Sequence, residues 1–263
     1  MQAQGYRVTL EHQAGHWWYR SRRELWLRQV ERAARALGYP GRRLELLDYG
    51  CAAGFDLASL ARFGDAHGAE TADARAIDAL AGGGAAASSS QAFPIHRVPD
   101  DMAALRGRFH IVTCLDVLEH LDDDVGGLRA IGALLAPGGQ LVATVPAYDW
   151  LWSGEDVISA HRRRYTRDRL LDAARAAGFE VLFSSYFFAS VLPGAAAVVW
   201  GRRLFSRDWQ SQTNLDAHPR WLGGLLRAVT AAEARLVGDE RVSLPAGASL
   251  VCRLRLETRE VRS

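Results

Sequence analysis

Lysine is absent from this sequence of 263 residues, and arginine therefore supplies all 32 of its basic side chains. Pyridoxal-phosphate enzymes and Schiff-base aldolases need a lysine amine. A P-loop needs a lysine at the phosphates, and protein kinases need a strand lysine at the nucleotide. The sequence excludes all of these enzyme classes.

Cysteine is scarce as well. Cys51, Cys114 and Cys252 are the three cysteines, and they stand far apart in no paired-ligand pattern. This usage is typical of a reducing compartment and argues against a disulfide framework or a zinc site. The first 13 residues also lack the apolar stretch of a signal peptide. We therefore expect a cytoplasmic protein.

The sequence has no large excess of positive or negative charge. Its 32 basic and 30 acidic residues give a net charge of +2. A protein that binds a nucleic-acid backbone usually carries a clear positive excess. We therefore expect no nucleic-acid partner.

One long run lacks charge, since residues 181–201 contain no acidic or basic side chain. Such a length could cross a bilayer in principle. Serines interrupt the run, however, and Pro193 and Gly194 break it, so that it divides into a strand over residues 181–188 and a following helix. Peripheral membrane contact through residues 186–205 is the alternative to a buried strand and helix.

Short apolar runs alternate with helical patterns along most of the chain. Such alternation predicts right-handed crossovers and a parallel sheet covered on both faces. The last run alternates strictly between apolar and other residues, which predicts a strand with one solvent-facing side, antiparallel and at or near a sheet edge. The predicted strands lie at residues 44–48, 66–70, 93–98, 109–115, 140–145, near 181 and within 243–257.

An aromatic and basic cluster occupies residues 16–20, ahead of a helical pattern. Ser21 and Glu24 form a capping-box pattern, which predicts that the helix begins at Ser21. Its arginines lie on the face opposite the apolar one, where solvent is the expected environment. The apolar face is formed by Trp26, Val30, Ala33 and Leu37.

A glycine-containing turn follows the first predicted strand. Asp48 ends that strand, and Gly50 and Gly54 follow it. Glycine lets the backbone approach a ligand closely, and a following helix offers free amide groups. Glu70 comes 20 residues after Gly50, the distance at which nucleotide-binding folds place an acid that accepts hydrogen bonds from ribose.

The pattern also predicts how the chain is organised. Residues 79–91 are of low complexity and are interpreted as a flexible surface connection. About fifty residues of helical character before the last strand are too many for a simple loop and are interpreted as a cap. The predicted units are a helical and aromatic lid segment at 1–40, a cofactor-binding core at 41–188, the cap at 189–242 and the last core strand at 243–257.

Four elements, taken in order, resemble the class I S-adenosylmethionine-dependent methyltransferases. They are LLDYGCAAG at 46–54, Glu70, CLDVLEHLDDD at 114–124 and LLAPGGQLVATVP at 134–146. The resemblance covers nearly the whole chain from residue 44 to 256. It implies an α/β, Rossmann-like fold, in which a mostly parallel seven-stranded sheet has helices on both faces and a helical cap is inserted before the last strand.

The same resemblance implies S-adenosylmethionine as the cofactor and assigns residues to it. Asp48 and the turn would hold the methionine end, Glu70 the ribose, and Asp101, or alternatively Asp100, the adenine amino group. Asp116 would lie beside the reacting sulfonium. The turn departs from the family at Ala52, where many members have glycine. The implied cofactor residues are Asp48, Gly50, Cys51, Gly54, Glu70, Asp101 and Asp116.

The stretch VPAYDWLWS at 145–153, together with residues 16–25 and 244–250, resembles a subgroup similar to methyltransferase types 11 and 12. That subgroup is often associated with bacterial glycan or secondary-metabolite biosynthesis. The resemblance implies a small-molecule acceptor, with oxygen as the expected acceptor atom. The candidate acceptor-binding residues are Trp17, Trp18, Tyr19, Trp152, Arg164 and Tyr165.

His161 is the candidate general base, because it lies beyond the fifth strand and no lysine is available. Asp156, five residues earlier, would orient it. Alternatively, Asp156, His161 and Arg164 form a structural ion-pair network. His120 with Glu119 is a second candidate pair, but adjacent helical residues diverge, so no metal is expected there.

Two further observations limit the substrate. Arginines 162–164 could bind a carboxylate or phosphate, or simply face solvent. The Asn/Asp-Pro-Pro-aromatic motif of nucleic-acid amino-methyltransferases is absent at residues 116–118. Three hypotheses remain open: a small-molecule methyltransferase, a membrane-associated methyltransferase of a lipid-linked acceptor, and a non-catalytic cofactor-binding or partner protein.

Overall fold

A computed structural model describes residues 15–52, 54–71, 93–211 and 220–257. The flexible connection predicted at residues 79–91 lies outside the described residues. The strands of the described chain are β1 (Leu44–Tyr49), β2 (Gly64–Thr71), β3 (Ile95–Val98), β4 (Phe109–Leu115), β5 (Leu135–Pro146), β6 (Phe179–Phe187) and β7 (Ser249–Leu256).

These strands form one seven-stranded sheet in the order β3-β2-β1-β4-β5-β7-β6. The pairs from β3 to β5 are parallel, whereas β7 is antiparallel to both β5 and β6. In register, Asp48 lies opposite Gly68 of β2 and Thr113 of β4. The predicted Rossmann-like, mostly parallel sheet is confirmed, and its parallel strands end at one edge, which is where open α/β sheets bind their ligands.

Helices cover both faces of this sheet. In the described residues the α-helices are α1 (Trp17–Ala36), α2 (Leu57–Leu60), α3 (Asp124–Gly132), α4 (Gly154–Ile158), α5 (Arg167–Ala176), α6 (Leu192–Phe205) and α7 (Arg220–Gly238). On one face, α3 and α5 pack into a core with Phe109, Leu141 and Phe179. On the other, Trp26 and Val30 of α1 pack against the sheet.

Helix α1 begins four residues earlier than the capping-box pattern predicts. His16 is the N-cap, and its ring nitrogen Nδ1 accepts a hydrogen bond of 3.3 Å from the Trp18 amide. Ser21 is buried inside the helix, and its hydroxyl lies 2.7 Å from the Thr230 hydroxyl of α7. The prediction that the helix starts at Ser21 is wrong, because this serine is used in a helix–helix contact and not as a cap.

The arginine face of α1 is not a solvated face. Arg22 pairs with Asp116, Arg23 with Asp56 at 2.7 Å and Arg28 with Asp239 at 2.7 Å. The expectation that these arginines face solvent is therefore wrong for this part of the helix, because α1 lies between the strand ends and α7.

Strand β7 confirms one expectation and overturns another. It is antiparallel and second from the edge, as predicted, but most of its second face is covered, and only Arg255 near its end is exposed there. Arg253 on that face is buried, and it donates hydrogen bonds to Gln29 (3.2 Å), Gln140 (3.0 Å) and Glu240 (2.7 Å). The prediction of a solvent-facing side is therefore wrong for Val251 and Arg253, which α1 and the end of α7 cover, and holds only for Arg255.

The uncharged run divides as predicted, into β6 and then α6, which has proline in its first turn. Within the described residues, no helix has both the length and the apolar character needed to cross a membrane. The stretch interpreted as a cap contains α6 and α7, and α7 packs along α1.

Candidate active site

A cavity of about 710 Å³ opens at the edge where the parallel strands end. Polar residues from the ends of β1, β2 and β4 form one part of its wall. Aromatic and aliphatic side chains from α1, α6 and α7 form another. Among the lining residues are Trp17, Trp18, Tyr19, Arg22, Asp48, Gly50, Cys51, Glu70, Asp116, Glu119, His120, His161, Arg164, Val198, Val199 and Leu226.

The turn after β1 is tight and leaves no room for a side chain at Gly50. Gly50 has φ +80, and a Cβ atom there would lie 2.4 Å from the Cγ2 atom of Val117. Ala52 also adopts a left-handed conformation, with φ +47. Its amide donates a hydrogen bond of 2.8 Å to the Glu70 carboxylate. The alanine at this position therefore keeps the tight turn, at the modest cost of a left-handed backbone for an L-residue.

Asp48 is buried at the end of β1, and the Thr113 hydroxyl donates to it at 2.6 Å. Burial raises the pKa of this carboxyl to about 7, and the nearby Asp56 acts in the same direction. Burial likewise raises the pKa of the Cys51 thiol, next to the turn. The Asp48 carboxyl is therefore only partly ionised near neutral pH, and the Cys51 thiol is neutral there.

Asp116 directly follows β4 and has φ +55. Its carboxylate accepts a hydrogen bond of 2.8 Å from the Thr144 hydroxyl, and Arg22 forms an ion pair with it. Sequence reasoning missed Arg22, because nothing in a helical arginine face shows which of its members reaches a strand end. The placement of α1 across the sheet brings this cation to the cavity.

Glu119 and His120 lie on a 3₁₀ turn (Leu118–His120) beyond β4. Burial raises the pKa of Glu119 to about 8. Burial, with the neighbouring His161, lowers the pKa of His120 to about 4. Contrary to the divergence expected of adjacent helical residues, ligand atoms of Glu119, His120 and His161 all lie within 4.8 Å of one another.

His161 and Asp156 form the predicted pair. Nδ1 of His161 lies 2.8 Å from Oδ1 of Asp156, which is fully buried. Arg164 binds the same carboxylate through two nitrogens, each at 2.8 Å, and the Ser153 amide donates to it at 2.7 Å. Burial opposes ionisation of Asp156, but the hydrogen bonds from His161 and Arg164 outweigh it and hold its pKa below the usual range. The pair in which Asp156 would orient His161 and the predicted ion-pair network with Arg164 are thus parts of one cluster.

The remaining predicted site residues fall into two groups. Trp17, Trp18 and Tyr19 line the cavity, and Trp18 stacks on Phe188 with ring centroids 3.8 Å apart. The other group does not line it: Gly54, Asp101, Trp152 and Tyr165.

Two of the residues outside the cavity have partners elsewhere. Asp101, which lies beyond β3, accepts a hydrogen bond of 2.7 Å from the Arg97 amide within that strand. The buried Tyr165 donates its hydroxyl to Asp124 at 2.9 Å.

The arginine run at 162–164 is also fully engaged. Arg162 pairs with Asp122 at 2.6 Å and Arg163 with Asp124 at 3.1 Å, while Arg164 binds Asp156. These ion pairs fix the segment that carries His161 against the turn after β4.

The fold, the glycine turn between Asp48 and Glu70, and the cavity at the strand ends define a class I S-adenosylmethionine-dependent methyltransferase, with S-adenosylmethionine as its cofactor. The profile of a family described as "Methyltransferase domain" matches residues 17–183, more than half of the chain. The chain belongs to this family.

Similar proteins agree with this assignment. A protein named ubiquinone biosynthesis O-methyltransferase from Xanthomonas oryzae pv. oryzae is 34% identical over 110 residues, which cover 40% of this chain and 46% of that protein. The protein of the same name from Xanthomonas euvesicatoria pv. vesicatoria is 36% identical over 117 residues, again 40% of this chain and 46% of the relative. The chain spans less than half the length of these curated relatives.

Among solved structures, a chain from the complex between the Haloferax volcanii Trm112 methyltransferase activator and a methyltransferase superposes with a TM-score of 0.51. It is 15% identical, and the match covers 97% of this chain and 94% of that one. At this identity the likeness shows the shared fold.

Proposed function

We propose that this protein transfers a methyl group from S-adenosylmethionine to a hydroxyl oxygen of a small, largely apolar acceptor. The observation that carries the proposal is the His161–Asp156 pair, which holds an imidazole at a cavity also lined by the glycine turn. The apolar wall of Trp17, Val198 and Leu226 supports an apolar acceptor. The O-methyltransferase name of the relatives supports oxygen as the acceptor atom.

The residues of the turn fit the cofactor. Val117 packs into the space where a side chain at Gly50 would sit, so the backbone itself faces the cavity. The Glu70 carboxylate is buried at the end of β2 and is held by the Ala52 amide, which suits it to bind ribose hydroxyls. Arg22 would supply a cation for the carboxylate at the methionine end of the cofactor. To do so, it would leave its ion pair with Asp116.

Bound S-adenosylmethionine supplies an electrophilic methyl group on a sulfonium sulfur. The protein's task is to align the acceptor oxygen in line with that methyl and to remove the hydroxyl proton. The ionised Asp156 carboxylate accepts from Nδ1–H of His161, which leaves the Nε2 lone pair toward the cavity. The proton passes from the acceptor oxygen to Nε2, while Arg164 and the Ser153 amide keep Asp156 in place.

Substitution of His161 tests this role. His161→Ala should lower turnover by about 10²–10⁴-fold, with the affinity for S-adenosylhomocysteine unchanged in calorimetry. His110→Ala, at a histidine on the opposite end of β4, is the matched control and should keep the wild-type rate. Near-normal turnover of His161→Ala would contradict the assignment and favour His120, whereas loss of folding would favour the purely structural network.

Asp156 acts through His161 as a positioning residue. Asp156→Asn should lower turnover less than His161→Ala and should also shift the pH profile of the rate, because the amide no longer favours the Nδ1–H tautomer. An unchanged pH profile would contradict this role.

The acceptor panel should include hydroxylated quinone precursors as well as glycan and secondary-metabolite intermediates. The predicted pathway differs from the quinone biosynthesis named for the relatives, and the panel separates the two. Binding of S-adenosylhomocysteine without transfer to any acceptor would favour the non-catalytic cofactor-binding protein.

A membrane-associated form of the same reaction is supported by α6. Its C-terminal half exposes Trp200 (48%), Leu204 (71%) and Phe205 (89%) next to Arg202 and Arg203. An apolar helix end beside arginines suits the interface of an anionic membrane. The double variant Leu204→Ser/Phe205→Ser should lose sedimentation with vesicles containing anionic lipid. Equal sedimentation of variant and wild type would contradict membrane contact through this helix.

We also propose that the stretch at 189–242 and the first turn of α1 together cover the acceptor. Trp17 packs edge-on against Phe188 at 5.8 Å, and side chains of α1, α6 and α7 line one cavity. Closure would exclude water from the methyl group. Hydrogen exchange in both segments should slow when cofactor and acceptor are bound; unchanged exchange would leave them as ordinary packing elements.

A further inference from the structure

Two buried side chains at the cavity have polar atoms without partners. Both carboxylate oxygens of Glu119 and both ring nitrogens of His120 are inaccessible to solvent, and they form no hydrogen bond with the described residues. Glu119 has no exposed surface at all. Burying such groups unpaired is costly, so native proteins usually satisfy them with a protein group, water or an ion. These four atoms therefore point to a ligand.

The same atoms converge with a third group. Nε2 of His161 lies 3.9 Å from Oε1 of Glu119, too far for a hydrogen bond. The His120 and His161 rings meet edge to face, with centroids 4.7 Å apart. One ligand atom from each of the three residues lies within 4.8 Å of the other two. Two imidazoles and one carboxylate thus surround a single point.

The spacing suits a small cation after a modest contraction. Zinc–nitrogen and zinc–oxygen bonds of about 2.1 Å place neighbouring tetrahedral ligand atoms about 3.4 Å apart. The ligand atoms, which all lie within 4.8 Å of one another, must therefore approach by up to about 1.4 Å to reach this spacing. Glu119 and His120 make no side-chain hydrogen bond to the described residues that this movement would break.

The third group already has the support that metal-binding histidines usually have. Asp156 accepts from Nδ1 of His161 at 2.8 Å and is itself held by Arg164 and Ser153. A carboxylate on the far nitrogen fixes the ring so that the near nitrogen can bind a metal. The orientation of His161 thus serves coordination as well as it serves proton transfer.

We propose that Glu119, His120 and His161 bind one divalent transition-metal ion, with Zn²⁺ as the best match. Imidazole nitrogens favour zinc and similar ions over Mg²⁺ and Ca²⁺, which prefer all-oxygen sites. Three protein ligands leave a coordination position for a further group from the cavity.

The role of the ion rests on the proposed function, because the group that fills this position would be the acceptor hydroxyl. A hydroxyl bound to such an ion loses its proton to solvent more readily. The oxygen then takes the methyl group, and the cofactor's sulfur keeps the electron pair of the broken bond. In the metal-loaded protein, His161 would be a metal ligand and would not remove the proton. It would act as the general base only in the metal-free protein.

The first test measures binding and not activity. Protein treated with chelator and then dialysed is titrated with ZnCl₂ and with MgCl₂ in a calorimeter, and with CoCl₂ in a visible spectrometer. We expect one Zn²⁺ per chain, much weaker binding of Mg²⁺, and visible Co²⁺ bands of a low-coordination nitrogen and oxygen site. Absence of a stoichiometric Zn²⁺ site in the wild-type chain would overturn the proposal.

Variants then locate the ion. Glu119→Gln, which keeps the side-chain shape, and His120→Asn should each abolish stoichiometric Zn²⁺ binding, and Asp156→Asn should weaken it about 10–100-fold. His110→Asn is the matched control and should bind Zn²⁺ like the wild type. Binding of S-adenosylhomocysteine confirms that each variant is folded. Zn²⁺ binding retained in both ligand variants would overturn the site.

The two proposals fail separately. A chain that binds no Zn²⁺ but transfers methyl groups at the same rate with and without chelator refutes the metal site and leaves the methyltransferase with His161 as base. A chain that binds Zn²⁺ through these residues but methylates no acceptor supports the site and refutes the proposed function.

Discussion

Replacing Gly50 with alanine should test whether the turn after β1 depends on close approach to Val117. The added Cβ would lie 2.4 Å from Cγ2 and 3.3 Å from Cγ1 of Val117, and Gly50 has φ +80. Both features disfavour a side chain at position 50, for different reasons. The short distance is a steric clash, and the positive φ is a backbone conformation that L-residues rarely adopt.

The two terms can be given magnitudes. A left-handed backbone costs an L-residue about 1–2 kcal/mol. Forcing an extra carbon into a packed contact costs about 1–3 kcal/mol. Gly50→Ala should therefore lower the free energy of unfolding by about 2–5 kcal/mol. Gly107 has φ +66 with nothing within 4 Å of an added Cβ, so Gly107→Ala should cost only the backbone part, about 1–2 kcal/mol.

Urea unfolding and calorimetry with S-adenosylhomocysteine measure both consequences. Val117→Ala removes the two Cγ atoms, so the double variant Gly50→Ala/Val117→Ala should recover about 1–3 kcal/mol relative to the sum of the single changes. Cofactor affinity should fall in Gly50→Ala, recover in part in the double variant and stay unchanged in Gly107→Ala.

The reasoning would be refuted by equal costs at the two glycines together with no coupling between positions 50 and 117. That result would mean that the Val117 side chain moves away freely and that the turn does not depend on the close contact between positions 50 and 117.

Three further outcomes follow from single residues. Glu70→Ala should weaken S-adenosylmethionine binding by about 1–3 kcal/mol in calorimetry, and equal affinity would contradict its role at the ribose. Burial raises the pKa of Asp48 from 3.8 to about 7, so the folded chain keeps a proton that the unfolded chain loses, and the free energy of unfolding should fall as pH rises between about 4 and 7. This fall, on the order of 4 kcal/mol in the wild type, should be absent in Asp48→Asn, and parallel pH profiles of variant and wild type would count against the buried carboxyl. Arg253→Met should lower the free energy of unfolding in urea by about 2–4 kcal/mol, because it leaves Glu240 and two glutamines without their donor; the exposed Arg255→Met is the control, and an equal effect would refute a buried role.

The local pattern of the sequence determined the elements and their order. Continuous apolar runs such as Phe109–Leu115 become buried parallel strands, because both faces of such a strand are covered. Glycine at position 50 marks a turn that side chains cannot enter. The Asp156–His161 pair was also predictable, since a short helix and turn hold residues five apart close together. These features depend on short-range geometry, which a single sequence carries.

Tertiary packing decided the rest. Ser21 reads as a helix cap but is buried against Thr230, which lies 209 positions away. Arg253 reads as a solvent-facing residue, yet it is covered by α1 and paired with groups from three segments. Arg22 reaches Asp116, and Glu119 and His120 meet His161, only because the chain folds back across the ends of the strands. A side chain's partner across such distances depends on how the layers pack, and no periodicity in the sequence encodes that.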